Sequence, residues 1–338
     1  MRRHAIARDV FPRSVDQPSD GRARSVSGAS PADWRRQFSR LGADGAAPSA
    51  IYARPDVYDL EHEGASKDDV RFFARLLARI RPRHVLELAC GSGRMTFVLA
   101  AALPMVEIVG VDVSREMLAR AATRRAAAPR PVRERVTLVH GDMRDWSGMG
   151  RSFDAVVIGC CSVSHLLTLG DRRRTWSNAF RLLRPGGLLI LDVRMPDLAT
   201  LAESQRLQPR AHVDLDVDAA RERAPGTARL LRSSATTYEP HLQRADVRLL
   251  YDRFDRGRLA ERFVSDFASH VYFPSELELL FLSTGFEIVR QYGDYSLTPV
   301  DRTSSFVVTV ARRPRRPARQ SRESGLLRAF SVEASATA

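Results

Sequence analysis

The sequence predicts a doubly wound α/β fold, in which helices cover both faces of a mainly parallel sheet. Between residues 84 and 193, short strands rich in Val, Leu and Ile alternate with helical segments, a pattern typical of strands buried on both faces. The first of these strands runs into a Gly-x-Gly turn before a helix. With 338 residues and 44% hydrophobic side chains, the chain is long and apolar enough to bury such a sheet.

The first element of this fold is an amphipathic helix at residues 67–80. Val70, Phe73, Ala74 and Leu77 lie at helical spacing, and the helix stops before Pro82, which cannot continue it. The alternating elements then follow in chain order. Strands are predicted at 84–88, 106–111, 135–140, 153–158 and 187–193, and helices at 93–103, 114–127 and 171–183.

The pattern changes after Pro196, where strands follow one another without intervening helices. Strands at 228–238, 241–254 and 259–273 predict an antiparallel insert. A helix at 275–283 and strands at 286–292 and 305–310 return the chain to the main sheet. We therefore divide the chain into four regions: a disordered or loosely packed extension (1–50), a main domain (51–196 and 274–312), an insert that covers a substrate (197–273) and a basic flexible tail (313–338).

Charge and cysteine content narrow the class of protein. The net charge is +13, but Lys67 is the only lysine and much of the excess lies near the two ends, which favours solvated tails over a nucleic-acid surface. Three cysteines, of which Cys160 and Cys161 are adjacent, form neither a disulfide framework nor a zinc pattern, so no metal is expected. No run of apolar residues is long enough to cross a membrane, and we expect a cytoplasmic protein.

The turn after the first strand has the composition of a ligand-binding loop. It reads Glu87-Leu88-Ala89-Cys90-Gly91-Ser92-Gly93 and opens a helix. Glycines allow the backbone to pass close to a ligand, and the free amides at a helix start favour an anionic group. A dinucleotide site would place its third glycine at the position of Thr96, where a side chain would crowd a pyrophosphate, so an NAD-dependent oxidoreductase is disfavoured.

Acidic residues end the next two strands. Asp112 closes the second strand about twenty residues after the glycine loop, where a carboxylate can accept both hydroxyls of a ribose. Asp142 closes the third strand in Gly141-Asp142-Met143, where an acceptor can meet an adenine amino group. Each aspartate alone is equally typical of a helix cap or a turn. The ordered set predicts one ligand lying across the strand ends.

On these residues, the stretch 85–193 resembles the class I S-adenosylmethionine-dependent methyltransferases. The resemblance implies a Rossmann-like seven-stranded sheet with a reversed last hairpin. It also implies that the loop from Glu87 to Gly93 holds the methionine end of S-adenosylmethionine, Asp112 the ribose, and Asp142 with Met143 the adenine. The residues expected to contact this cofactor, whose product is S-adenosylhomocysteine, are Glu87, Ala89, Gly91, Gly93, Asp112, Val113, Met117, Gly141, Asp142, Met143 and Cys160.

A narrower similarity concerns the acceptor. Val57-Tyr58-Asp59-Leu60 with His62, Gly64 and Lys67-Asp68, followed by residues 141–145, is similar to the sugar-amine N-methyltransferases of antibiotic pathways. The similarity implies a small-molecule acceptor, methylated on an amine or hydroxyl and less readily on carbon, and dimerisation is common among such enzymes. The Asn/Asp-Pro-Pro-Tyr motif of nucleic-acid and protein amide methyltransferases and the Pro-Cys nucleophile of cytosine C5 enzymes are both absent after the fourth strand.

Two residues are candidates for catalysis. His165 ends the segment that follows the fourth strand, and its imidazole could accept a proton from the acceptor. Tyr58 precedes the first helix and could face the sulfonium or hydrogen-bond the acceptor amine. Packing roles for both residues stay open. So do two alternative functions: methylation of RNA or protein with the help of the arginine-rich ends, and S-adenosylmethionine binding without catalysis.

Overall fold

The fold comes from a computed structural model that describes residues 50–65, 68–203, 212–218 and 228–315. Nearly all of the proposed extension (1–50) and most of the proposed tail (313–338) lie outside the described residues. The other two proposed regions, the main domain and the insert, each contain one sheet, and the two sheets are separate.

The main sheet has seven strands in the order β10-β11-β5-β4-β1-β2-β3. The first five strands, which lie side by side in the order β5-β4-β1-β2-β3, are all parallel. In contrast, β11 is antiparallel to both of its neighbours, β5 and β10. The Rossmann-like seven-stranded sheet with a reversed last hairpin is thereby confirmed. The strands are β1 (His84–Leu88), β2 (Glu107–Asp112), β3 (Val136–His140), β4 (Phe153–Ile158), β5 (Leu183–Arg194), β10 (Glu287–Tyr292) and β11 (Phe306–Arg312).

Helices pack on both faces because strand side chains alternate between the two. On one face, Leu86, Val156 and Leu191 join Trp176 and Phe281 in a buried cluster. On the other face, strand residues one position away from these pack against the helices Asp68–Ile80 and Arg94–Ala102. The helices are α1 (Pro55–Ala65), α2 (Asp68–Ile80), α3 (Arg94–Ala102), α4 (Arg115–Ala127), α5 (Arg130–Arg133), α6 (Leu169–Leu182), α7 (Leu198–Glu203) and α8 (Pro274–Ser283).

The insert forms a separate four-stranded antiparallel sheet in the order β6-β7-β8-β9. Its strands are β6 (His212–Asp218), β7 (Ala228–Glu239), β8 (Arg244–Asp255) and β9 (Arg258–His270). The sequence predicted the last three but not β6. Leu230, Leu249 and Tyr251 from this sheet pack with Ile51 and Val57 in a small core of their own. The segment 50–65 therefore lies against the inserted sheet, which we call the cover sheet.

Among the described residues, no helix has the length and apolarity needed to cross a membrane.

Candidate functional site

The glycine loop between β1 and α3 has an unusual backbone. Ala89, Gly91 and Gly93 all have positive φ, at 58°, 55° and 76°. This conformation is disfavoured for residues other than glycine, so Ala89 is held in a strained geometry of the kind found at ligand sites. A Cβ on Gly91 would lie 3.2 Å from the end of Met117. Glycine therefore lets the loop lie close over α4, and Met117, which is buried, supports the loop from below.

Glu87 lies beneath this loop with only 2% of its surface exposed. Its Oε2 accepts a hydrogen bond from the Thr96 hydroxyl at 2.6 Å. Burial raises the pKa of the Glu87 carboxyl to about 8, although Thr96 and the charge of Arg94 act in the opposite direction. The carboxyl is therefore protonated at neutral pH and would ionise beside a cation. In the sequence, Thr96 served only to disfavour a dinucleotide site. In the structure it is the hydrogen-bond donor to the Glu87 carboxyl.

Asp112 connects the glycine loop to the start of α4. Its Oδ2 accepts from the Gly91 amide at 2.7 Å, and its Oδ1 accepts from the Ser114 amide at 2.8 Å. Burial raises the pKa of this carboxyl above its usual value, against the lowering effect of the amides. The side chain that caps α4 belongs to Ser114. Asp112 is therefore fixed at the end of β2 next to Glu87, while the neighbouring Val113 is 62% exposed at the rim.

Among the residues that follow β3, the expected adenine acceptor Asp142 already has a side-chain partner. Both carboxylate oxygens of Asp142 accept hydrogen bonds from the side chain of Arg144, at 2.6 to 3.0 Å. Although burial opposes ionisation, this pairing holds the pKa of Asp142 below its usual value. A Cβ on Gly141 would lie 2.7 Å from Trp146, so packing already requires that glycine. The contact between Asp142 and adenine stays a prediction. In that arrangement, Arg144 and the adenine amino group would both donate to the Asp142 carboxylate.

The turn after β4 lies opposite the glycine loop. Tyr58, Glu87, Ala89 and Cys160 line one cleft together with Arg94, whose guanidinium pairs with Asp69 at 3.0 Å. The Cys160 sulfur lies 3.6 Å from the Tyr58 hydroxyl. Burial raises the pKa of the Cys160 and Cys161 thiols, which disfavours a thiolate nucleophile at either position.

His165, at the end of the same turn, contacts the segment that precedes α1. Its Nε2 lies 2.6 Å from the Tyr52 hydroxyl, and its ring contacts Phe267 of the cover sheet with centroids 5.8 Å apart. Burial lowers the pKa of His165 and raises that of Tyr52. Tyr52 therefore keeps its proton, and its hydroxyl can donate a hydrogen bond to the neutral imidazole in the tautomer that leaves Nε2 unprotonated. Tyr52 was not predicted, because its only signal in the sequence is an aromatic residue six positions before Tyr58.

Tyr58 stacks on His62 with ring centroids 4.0 Å apart, and its ring lies 6.0 Å from that of Tyr52. Tyr58 thus lines the cleft beside Cys160, whereas His165 lies against the cover sheet, and Tyr52 contacts both candidate catalytic residues. Burial is the largest cause that raises the pKa of Tyr52, and the nearby ionisable groups Cys160 and Asp112 act in the same direction.

Comparison with known proteins identifies the central part of the chain. Residues 85–187 match a family model described as a methyltransferase domain. The chain is 34% identical over 155 residues to a dTDP-3-amino-3,6-dideoxy-alpha-D-glucopyranose N,N-dimethyltransferase of Streptomyces fradiae, covering 44% of this chain and 56% of that protein. It is 34% identical over 108 residues to a demethylmenaquinone methyltransferase of Symbiobacterium thermophilum, covering 32% and 41% respectively. Across such curated relatives the aligned part spans 41% to 61% of their length.

Solved structures extend the similarity to most of the chain. The CcbJ methyltransferase from Streptomyces caelestis superposes with a TM-score of 0.60 at 25% identity, over 77% of this chain and 96% of that one. DesVI from Streptomyces venezuelae, at 23% identity and a TM-score of 0.58, shares the fold over 76% of this chain and 97% of its own.

Proposed function

We propose that this chain, whose residues 85–187 match a methyltransferase domain, is a class I S-adenosylmethionine-dependent enzyme that transfers a methyl group from S-adenosylmethionine to an amine of a small molecule. The observation that carries the proposal is the pairing of two buried carboxyls, Glu87 and Asp112, around a loop with three left-handed residues. When bound, the donor supplies a methyl group already activated on a positively charged sulfur.

The residues present fit this donor. The buried Glu87 carboxyl would gain a partner in the amino group of the methionine end, because a nearby cation stabilises the carboxylate. Asp112 keeps lone pairs free beyond those used by two amides and would accept the ribose hydroxyls. Val113 and Met143 would contact the adenine end, beside Asp142.

The acceptor would lie between the cover sheet and the turn after β4. Methyl transfer is mainly a matter of alignment, since the carbon is already activated. Tyr58 would orient the amine beside Cys160. A proton released by the methylated amine could pass through the Tyr52 hydroxyl to His165, whose lowered pKa leaves it neutral at pH 7.

The choice of an amine is supported by several relatives named as N-methyltransferases, including two that act on dTDP-linked amino sugars. A hydroxyl acceptor, a homodimer and a cytoplasmic location stay predictions from the sequence.

The proposal is tested by calorimetric titration of the full chain with S-adenosylhomocysteine and with NAD. We expect binding of S-adenosylhomocysteine alone, weakened at least about tenfold in Asp112→Ala, which corresponds to about 1.4 kcal/mol. Asp255→Ala, an exposed aspartate at the end of β8, is the matched control and should bind normally. Folded protein that binds no S-adenosylhomocysteine would refute the proposal. A panel of amines, read by mass spectrometry for added methyl groups, then identifies the acceptor.

A further inference from the structure

The turn after β4 contains two consecutive residues in the left-handed region. Cys160 and Cys161 have φ values of 57° and 54°, and neither is a glycine. Such a conformation persists only where surrounding contacts hold it. The turn leads directly into the short helical turn Ser162–His165, so its backbone decides where Cys160 and His165 lie.

A buried carboxylate holds this backbone. Asp192, near the end of β5, is fully buried, and its Oδ1 accepts a hydrogen bond from the Cys161 amide at 2.9 Å. Its Oδ2 accepts one from the Tyr295 hydroxyl at 2.5 Å. Asp192 therefore links the β4 turn to the loop between β10 and β11, more than a hundred residues further along the chain.

Tyr295 is itself held by aromatic packing. Its ring contacts Phe306 of β11 with centroids 4.8 Å apart and Phe72 of α2 with centroids 5.9 Å apart. Because the ring is fixed on two sides, the hydroxyl has a defined position from which to donate. Burial raises the pKa of Asp192 to about 6, and the bonds from Tyr295 and the Cys161 amide act to keep the carboxylate ionised.

We propose that Asp192 and Tyr295 form a positioning pair, which fixes the left-handed Cys160–Cys161 backbone and so shapes the wall of the cleft that contacts the donor. The contact between this wall and the donor rests on the proposed function; the effect of the pair on the backbone does not.

The first test needs no ligand. Amide hydrogen exchange of Cys161, followed by NMR on the full chain, should be at least about tenfold faster in Tyr295→Phe, which removes one hydroxyl and keeps the ring. Tyr292→Phe is the control, because Tyr292 contacts the same Phe72 ring, with centroids 5.4 Å apart, and lies outside the Asp192 hydrogen bonds. Equal exchange at Cys161 in both variants would overturn the proposal.

The second test uses S-adenosylhomocysteine as the probe. Measured well below its unfolding midpoint, Tyr295→Phe should bind it about three- to tenfold more weakly, whereas Tyr292→Phe should bind normally. Asp192→Asn should recover affinity relative to Asp192→Ala, because an amide oxygen can still accept from the Cys161 amide. Unchanged affinity in Tyr295→Phe would contradict the link to the cleft wall. If the unaltered chain does not bind S-adenosylhomocysteine, the proposed function fails, and Cys161 exchange still decides whether the pair holds the turn.

Discussion

At the scale of single residues, the raised pKa of Glu87 predicts that ligand binding releases a proton. Its pKa of about 8 means that the carboxyl is largely protonated at pH 7 before ligand binds. An ammonium group placed beside it stabilises the carboxylate and lowers that pKa, so binding must release a proton. We expect calorimetry of S-adenosylhomocysteine at pH 7, in buffers of different ionisation enthalpy, to show release approaching one proton.

The matched variant is Glu87→Gln, which is neutral at every pH. It should bind more weakly and lose the proton release, and its affinity should no longer rise as the pH increases from about 6 to about 8. If Glu87→Gln released as many protons as the unaltered chain, the released proton would come from another group.

His165 predicts a different pH dependence. Its pKa lies below the usual 6.5 because of burial, so the imidazole is neutral at pH 7 and loses its capacity to accept a proton only in more acidic solution. If it accepts the proton of the acceptor, His165→Asn should lower kcat by about 100-fold or more and leave the affinity for S-adenosylhomocysteine unchanged. A variant with nearly normal kcat would show that the amine loses its proton directly to solvent, and that His165 serves packing.

These residues also show what sequence can and cannot predict about a site. Glu87 and Asp112 were predicted because their positions follow from strand ends, which hydrophobic patterns locate well. The partners Tyr52, Asp192 and Tyr295 were missed because no local pattern marks a side chain whose contact is made across a hundred residues.

At the scale of elements, helix α1 is attached to the glycine loop by one carboxylate. Asp59 accepts from the Ser92 hydroxyl at 2.6 Å and pairs with Arg120 and Arg124 of α4, each at 2.7 Å. Although burial opposes ionisation, these three partners hold the pKa of Asp59 below its usual 3.8. Since both arginines stay partly exposed, Asp59→Asn should cost about 1–2 kcal/mol of unfolding free energy.

The sign of the pH dependence follows from the lowered pKa. The contribution of Asp59 is present above its unfolded pKa and is lost as the pH falls through the folded value. The stability difference between the unaltered chain and Asp59→Asn should therefore be constant from about pH 5 to about pH 8 and shrink below about pH 4. Asp56→Asn, at an exposed position of the same helix, is the control for chemical denaturation and should show little difference. A difference that grows in acid would be inconsistent with this ion pairing.

Element prediction from sequence succeeded where periodicity is strong. The strands of the main sheet lie within a few residues of their predicted bounds, because their buried faces impose continuous apolar runs. Helix α1 was not predicted. Its fixed position depends on Asp59 and on packing against the cover sheet, rather than on an amphipathic pattern of its own. Strand β6 was missed although Val213, Leu215 and Val217 alternate with aspartates, because aspartate is depleted in strands and the alternation is short.

At the scale of the whole molecule, the segment 50–65 connects the two sheets. On the main domain it is bonded to the glycine loop through Asp59, and Tyr52 and Tyr58 contact the turn after β4. On the cover sheet it is bonded at three places: the Ile51 amide donates to Ser265 at 3.0 Å, Arg54 pairs with Glu261 at 2.7 Å, and Glu61 accepts from Tyr251 at 2.7 Å. Because Asp59 and Glu61 are two residues apart on one helix, a shift of the glycine loop is passed to the cover sheet through a rigid element.

This connection predicts that ligand binding at the glycine loop is thermodynamically coupled to the stability of the cover sheet. At a concentration of about 100 times Kd, S-adenosylhomocysteine should stabilise the folded chain by about 2.7 kcal/mol. The protection from hydrogen exchange that it causes should extend beyond the glycine loop into residues 50–65 and into β9. In Asp59→Ala, protection should persist at residues 87–93 and 110–114 but no longer reach β9, because the side chain that accepts from Ser92 of the loop is removed. Protection of β9 that is equal in both proteins would contradict coupling through α1 and would require a path through the turn after β4, where Tyr272 donates to the Val163 carbonyl at 3.0 Å.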